Sequence, residues 1–149
     1  TRDASAKLRF RKPALIHSKF FPALQGLQKK MSASDPNSAI FLTDTPEQIR
    51  DKIVHHAFSG GRDTAEEQRE HGANLEVDIA YQWLTFFLYD DAKLAEITEK
   101  YSTGKILTMD VKNILIELLV DLVAKHQDAR KNATDDIVES FMAVRKLKF

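Results

Sequence analysis

Val111–Val123 reads VKNILIELLVDLV, and its spacing decides the fold class. Val111, Ile114, Leu115, Leu118, Leu119, Leu122 and Val123 recur in steps of three and one, which lines one face of a 3.6-residue helix. Ile116 and Val120 widen the stripe, and a helix apolar over so broad an arc belongs at the centre of a bundle. Glu117 and Asp121 interrupt the run, which falls well short of the ~20 apolar residues that cross a bilayer. No membrane span is expected.

Shorter helices flank this one. Thr45-Pro46-Glu47-Gln48 puts a hydroxyl at the N-cap, proline at the first helical position and glutamine three residues on, a capping box with a built-in start. Ile49, Ile53 and His56-Ala57 share a face until Ser59-Gly60-Gly61. Thr64-Ala65-Glu66-Glu67 reads as a second capping box, closed by Gly72. Val77, Ala80, Tyr81, Leu84, Phe87 and Leu88 mark a third helix, and Leu94, Ile97 and Tyr101 a fourth that ends near Gly104. Thr134 with Asp135 and Asp136 starts a sixth, expected to carry Ile137, Val138, Phe141 and Met142 inward. Residues beyond about 45 therefore form a helical bundle with short turns.

The first 44 residues differ. Leu8–Ile16 holds the best strand candidate, with Pro13 ahead of Ala14-Leu15-Ile16, and Ile40-Phe41-Leu42 is a short buried strand or a packed turn. One or two strands without partners are not independently stable. The chain begins at Thr1 with no initiator methionine and no N-terminal element, and it reads as a piece of something longer.

Of 149 residues, 43% are apolar and 30% charged, ordinary for a globular chain able to bury a core. Net charge is zero, yet eight Lys/Arg against one Asp lie within the first thirty residues, which leaves the remainder acidic by the same amount. A basic head on an acidic body suits an anionic ligand near the head, or a head that pairs with the body. Absence of cysteine rules out disulfides and thiolate metal sites and is compatible with a reducing compartment. His55 and His56 are adjacent and point apart on a helix, and Glu66, Glu67 and His71 have no ligand spacing, so no structural metal is expected. Tyr81, Trp83, Phe86 and Phe87 are core candidates that could also stack on bases, and Trp83, one residue off the Tyr81–Leu84–Leu88 face, is the first candidate among them for exposure.

Lys30-Met31-Ser32-Ala33-Ser34, followed by Asp35-Pro36-Asn37-Ser38, combines an ammonium, hydroxyl donors and small residues. Chemistry alone leaves two readings open: a polar surface turn, or a mobile loop that closes over a polyphosphate and stabilises charge on the leaving group. It is no Walker A loop, since Gly60-Gly61 is followed by Arg62-Asp63-Thr64 without the required lysine.

Lys30–Ser34 resembles the KMSKS signature of class I aminoacyl-tRNA synthetases. The flanking text sharpens the likeness: KPALIHS from Lys12, FFPALQG from Phe20, KMSASDPNSAIFLTDT from Lys30, HAFSGGRDT from His56 and LTFFL from Leu84. Together these look like the tryptophanyl-tRNA synthetases of the eukaryotic cytosolic type, over nearly the whole chain. The resemblance implies a mainly α chain: residues 1–45 end an incomplete α/β, Rossmann-like nucleotide-binding catalytic domain, and 46–149 form a helical anticodon-binding domain. It implies ATP with Mg2+, L-tryptophan and tRNA(Trp) as partners, a homodimer when full length, and a cytoplasmic location. Lys30, Ser32 and Ser34 would be catalytic, and Gln25, Gly26 and Lys30 through Ser34, including Met31 and Ala33, would bind ATP. Arg130, Lys131, Arg145 and Lys146 bracket the last helix and are candidates for tRNA phosphates, or simply solvated helix ends.

Two departures qualify the likeness. Ala33 stands where the general signature has a second lysine, and the family's histidine-bearing HIGH-type motif has no counterpart, since His17 is followed by Ser-Lys-Phe and His56 by Ala-Phe. This polypeptide is therefore expected to be inactive alone. A non-catalytic helical RNA-binding or protein-interaction module and a tyrosyl-specific relative are the alternatives.

Overall fold

The computed structural model describes residues 1–145, and among these every regular element is helical. The helices are α1 (Arg2–Lys7), α2 (Pro46–His56), α3 (Ala65–His71), α4 (Ile79–Phe87), α5 (Asp91–Ser102), α6 (Thr108–Lys131) and α7 (Asp135–Met142). A 3-10 turn spans Pro36–Ser38.

Helix α6 is the spine, packed against α2, α4 and α5. Val111, Leu115, Ile116, Leu119 and Val123 are buried along it, with Ile114, Leu118 and Val120 half-buried beside them. Ile49 and Ile53 of α2, Ile79, Ala80, Trp83 and Leu84 of α4, and Ile97 and Tyr101 of α5 complete the core. Full burial contributes about 1.5–3 kcal/mol for each large aliphatic side chain, so this cluster is the main source of stability.

The helix starts follow local chemistry. Thr45 and Gln48 form the reciprocal capping box: Gln48 N–H donates to Thr45 Oγ1 at 3.3 Å and Thr45 N–H to Gln48 Oε1 at 2.9 Å. At Thr64 only half the box exists, with Glu67 N–H on the threonine hydroxyl at 3.1 Å. Asp78 and Asp90 cap α4 and α5 by accepting from Tyr81 N–H and Lys93 N–H. Gly72 ends α3 at φ 66, where a Cβ would lie 1.8 Å from the Ser102 carbonyl oxygen. That contact excludes every other residue.

A buried polar network ties the turns together around Asp78. Its Oδ2 accepts from Gly60 N–H at 2.8 Å and from the Tyr101 hydroxyl at 2.8 Å, while Oδ1 caps α4. Tyr101 also meets Thr108, whose hydroxyl donates to Gln68 Oε1. Burial pushes the Tyr101 phenol well above its ordinary value, and the Asp78 carboxylate adds to the shift. Lys112 is buried on the spine because its ammonium donates to the Val54 and Ala57 carbonyls at the end of α2. Burial pulls its pKa down, opposed by Asp78.

Four expectations need correction. Residues 8–16 form no strand; they run irregular and exposed, because a strand needs ladder partners and none lies beside them. The chain does have an N-terminal element, α1, which ends in a Schellman motif with Arg9 at φ 56, Phe10 N–H on Ser5 O and Arg9 N–H on Ala6 O. Trp83 is 2% exposed rather than at the surface. Ile137, Val138, Phe141 and Met142 of α7 face outward, with Phe141 76% exposed, since α7 follows the part of α6 that extends beyond the bundle.

Candidate functional site: the Lys30–Ser34 loop

Residues 22–44 carry little regular structure, yet they are fastened to the bundle. Trp83 Nε1–H donates to the Pro22 carbonyl at 3.0 Å, and Phe21 stacks on Trp83 and meets Phe86 and Phe87 edge-on. Leu24 is fully buried in the core, and its carbonyl accepts from Phe58 N–H at 2.8 Å. Beyond the loop, Lys52 of α2 is buried, pairs with Asp44 at 2.6 Å, donates to the Ala39 carbonyl at 3.2 Å and lies over the Phe41 ring. Gln127 of α6 donates to the Leu42 and Asp44 carbonyls. Both ends of the loop are thus held by helices.

Between these anchors the backbone closes on itself. Ser32 and Asp35 form an antiparallel bridge, with Asp35 N–H on Ser32 O at 3.1 Å. Asp35 caps the 3-10 turn through Asn37 N–H and accepts from Gln25 Nε2 at 2.9 Å, which brings the upstream flank against the loop. Met31 packs partly buried against the hydrophobic core, while Lys30 and Ser32 on either side of it are exposed. The alternation presents the ammonium and the first hydroxyl outward from an apolar anchor. Ser32 and Ser34 share a hydrogen bond at 2.8 Å between their hydroxyls, and Ser34 N–H points to Ser32 Oγ at 3.3 Å. Among the described residues, no hydrogen bond or ion pair engages the Lys30 side chain. Ala33 is exposed and contributes no charge.

Gly26 has φ 126, a conformation reserved for glycine, and it turns the chain toward the loop. Together with Gln25, Leu27, Gln28, Lys29, Phe58 and Val77 it lines an open recess of about 330 Å³, whose lining stops at Lys29 and does not include Lys30–Ser34. Phe58, from the turn after α2, and Val77, expected on a helix face but lying ahead of α4, are lining residues that the sequence did not mark as part of the site. Neither carries chemistry that would have signalled them. Asp35 and Ser38 organise the loop, and the Asp-Pro-Asn-Ser text was their signal.

The candidate phosphate contacts elsewhere are dispersed. Arg130 and Lys131 are exposed in the last turn of α6, where cations suit the helix dipole, and Lys131 pairs with Asp128 at 2.8 Å. Arg145 is exposed past α7, and Lys146 lies outside the described residues. Among the described residues no cluster of three His, Asp or Glu side chains could hold a metal ion, and no helix is long and apolar enough to cross a membrane.

The family model described as tRNA synthetases class I (W and Y) matches residues 1–124. The chain is similar to the cytoplasmic tryptophan–tRNA ligase of Homo sapiens, 58% identical over 149 residues, covering 100% of this chain and 32% of that protein. It is 55% identical to the cytoplasmic tryptophan–tRNA ligase of Dictyostelium discoideum, again over 100% of this chain and 37% of the relative. The structure superposes on the tryptophanyl-tRNA synthetase from Giardia lamblia with a TM-score of 0.92 at 48% identity, covering 99% of this chain and 36% of that one. The chain thus spans about a third of the length of these relatives. With the family model matched over most of its length and the Lys30–Ser34 loop seated at its head, the chain belongs to the class I tRNA synthetases of the tryptophan and tyrosine type.

Proposed function

We propose that this chain is the C-terminal part of a cytoplasmic tryptophan–tRNA ligase, which activates L-tryptophan with ATP to an adenylate and transfers it to tRNA(Trp). The observation that carries the reading is the loop itself: Lys30 stands exposed, with no partner among the described residues, on a doubly anchored, self-bonded turn. The names of the relatives, tryptophan–tRNA ligases of the cytoplasm, support the choice of amino acid and location.

In this reading residues 1–45 end the nucleotide-binding domain and 46–149 form the anticodon-binding domain. Lys30 meets the ATP phosphates as the α-phosphate is attacked by the tryptophan carboxylate and pyrophosphate leaves, because an ammonium placed on developing charge lowers the barrier. Ser32 and Ser34 add hydroxyl or backbone N–H donors, and Met31 and Ala33 supply the backbone between them. Gln25 and Gly26 border the nucleotide. Mg2+ arrives with ATP, whose phosphate oxygens are its hard ligands. Arg130, Lys131, Arg145 and Lys146 contact tRNA phosphates, and the full-length protein is a homodimer. The remaining two-thirds of the relatives' length would supply the other side of the site.

The test is tryptophan-dependent ATP–pyrophosphate exchange by the full-length protein carrying Lys30→Ala. A fall of about 10²-fold in kcat with an unchanged KM for tryptophan is expected. Unchanged exchange removes the assigned role, and exchange that responds to tyrosine instead of tryptophan reassigns the substrate.

A further inference from the structure

The hydroxyl of Ser38 lies under the Lys30–Ser34 loop with 0% exposure. It accepts from Ser32 N–H at 2.9 Å and has two carbonyls within donating reach, Asp35 O at 2.7 Å and Ser32 O at 3.1 Å. The two carbonyls have other donors: Asp35 N–H bonds Ser32 O, and Ser38 N–H bonds Asp35 O, each at 3.1 Å. Ser32 N–H has no second partner among the described residues. The hydroxyl is therefore the single partner of the Ser32 N–H, two residues beyond Lys30, while Asp35 N–H holds the Ser32 carbonyl.

The same residue is the point where the loop meets the bundle. The Ser38 carbonyl accepts from Leu24 N–H at 3.0 Å, Leu24 O from Phe58 N–H at 2.8 Å, and Phe58 O from Ile79 N–H at 3.0 Å. Its neighbour Ala39 is held by the buried Lys52 ammonium. A continuous path of hydrogen bonds thus runs from the start of α4 to the backbone of Ser32.

We propose that Ser38 is a positioning residue, whose buried hydroxyl pins the Ser32 backbone so that the exposed Lys30 ammonium is presented to the ATP phosphates. Ser38 does not reach the ligand; it acts through Ser32 and Lys30. The inference rests on the reading of Lys30 as the phosphate contact. Removing the hydroxyl leaves the Ser32 N–H without its partner and loosens the Lys30 arm, which then keeps only the Asp35 bond to Ser32 O and the packing of Met31, so the ammonium reaches its place in fewer encounters.

Exchange kinetics of the full-length protein decide the matter through a double-mutant cycle of Ser38→Ala and Lys30→Ala. Ser38→Ala is expected to lower kcat about tenfold, the size of one net hydrogen bond, with the KM for tryptophan within about twofold of the parent. In the Lys30→Ala background the same change is expected to cost less than about twofold, because the group being positioned is gone. Ser38→Cys keeps a polar atom at the position, bulkier and a weaker acceptor than the hydroxyl, should fall between Ser and Ala, and carries the same cycle if the alanine protein does not fold. Equal losses in both backgrounds, or a loss that tracks the Tm of the variants instead of the order Ser, Cys, Ala, overturn the positioning role. If Lys30→Ala itself leaves exchange intact, it is the reading of the loop that fails, and that outcome is separate from the other two.

Discussion

Residues 8–20 and residues 21–44 contain the same kind of text, apolar residues scattered among basic and turn residues without a helical period, yet they end in opposite states. Every side chain from Leu8 to Phe20 is exposed, Ile16 at 92% and Phe20 at 73%. The following segment buries Pro22, Ala23, Leu24, Ser38, Ala39 and Asp44 and takes hydrogen bonds from α2, α4 and α6. Composition does not separate them; the presence of a donor or an apolar wall opposite does. The irregular backbone of residues 21–44 is held against the bundle where Trp83, Lys52 and Gln127 donate to its carbonyls. The side-chain hydrogen bonds of residues 8–20, Arg2 on the Pro13 carbonyl at 2.8 Å and Lys19 on Gln82 at 3.2 Å, are exposed and bury nothing.

Phe20 and Phe21 make the comparison within two adjacent residues. Phe21→Ala removes contacts to Trp83, Phe86 and Phe87, and a loss of about 3 kcal/mol is expected from the midpoint of urea unfolding of this chain. A loss below about 1 kcal/mol would mean that the irregular segment adds nothing to the bundle.

Tyr101→Phe probes the satisfied interior at a smaller scale. It leaves Asp78 with its two backbone donors and should cost about 1–2 kcal/mol near neutral pH. Because burial raises the phenol's pKa, folding keeps a proton that the unfolded chain releases. That stability is whole below the unfolded value of about 10 and is lost as pH rises beyond it, by about 1.4 kcal/mol per pH unit. Urea midpoints at pH 9 and pH 11 should therefore drop more for the parent than for Tyr101→Phe. Lys112, whose lowered pKa acts in the opposite sense, is common to both proteins and cancels.

The smallest effect belongs to Phe20→Ala. With the ring in solvent, the same unfolding measurement should move by less than about 0.5 kcal/mol. A change as large as that of Phe21→Ala would erase the distinction between the two segments.

The bundle was legible because its signals are local. The stripe of α6, the Thr45 box and the Gly72 stop each lie within a few residues and need no knowledge of the partner. Trp83 was misread because one step off the Tyr81–Leu84 face counts as surface only if nothing else packs there, and Phe21 comes from 62 residues away to cover it. The apolar residues of α7 were expected inward for the same reason in reverse: amphipathicity states that a face wants cover, not that this chain supplies it. For the loop, the text of Lys30–Ser34 marked the donors, and the turn text after it marked a bend. The closure of Ser38 on Ser32 and the Lys52 tether were invisible, since buried lysines and serines carry no periodic signal.

Trp83 is the single tryptophan of this chain, and its indole N–H is spent on Pro22 inside a cage of phenylalanine rings. That makes it an optical gauge of one particular seam. Its emission belongs at short wavelength while residues 21 and 22 lie on α4, and it shifts to the red when they lift away, even if the helices behind it stay folded. Release of the irregular segment and melting of the bundle can then be followed as two separate events by reading fluorescence beside circular dichroism.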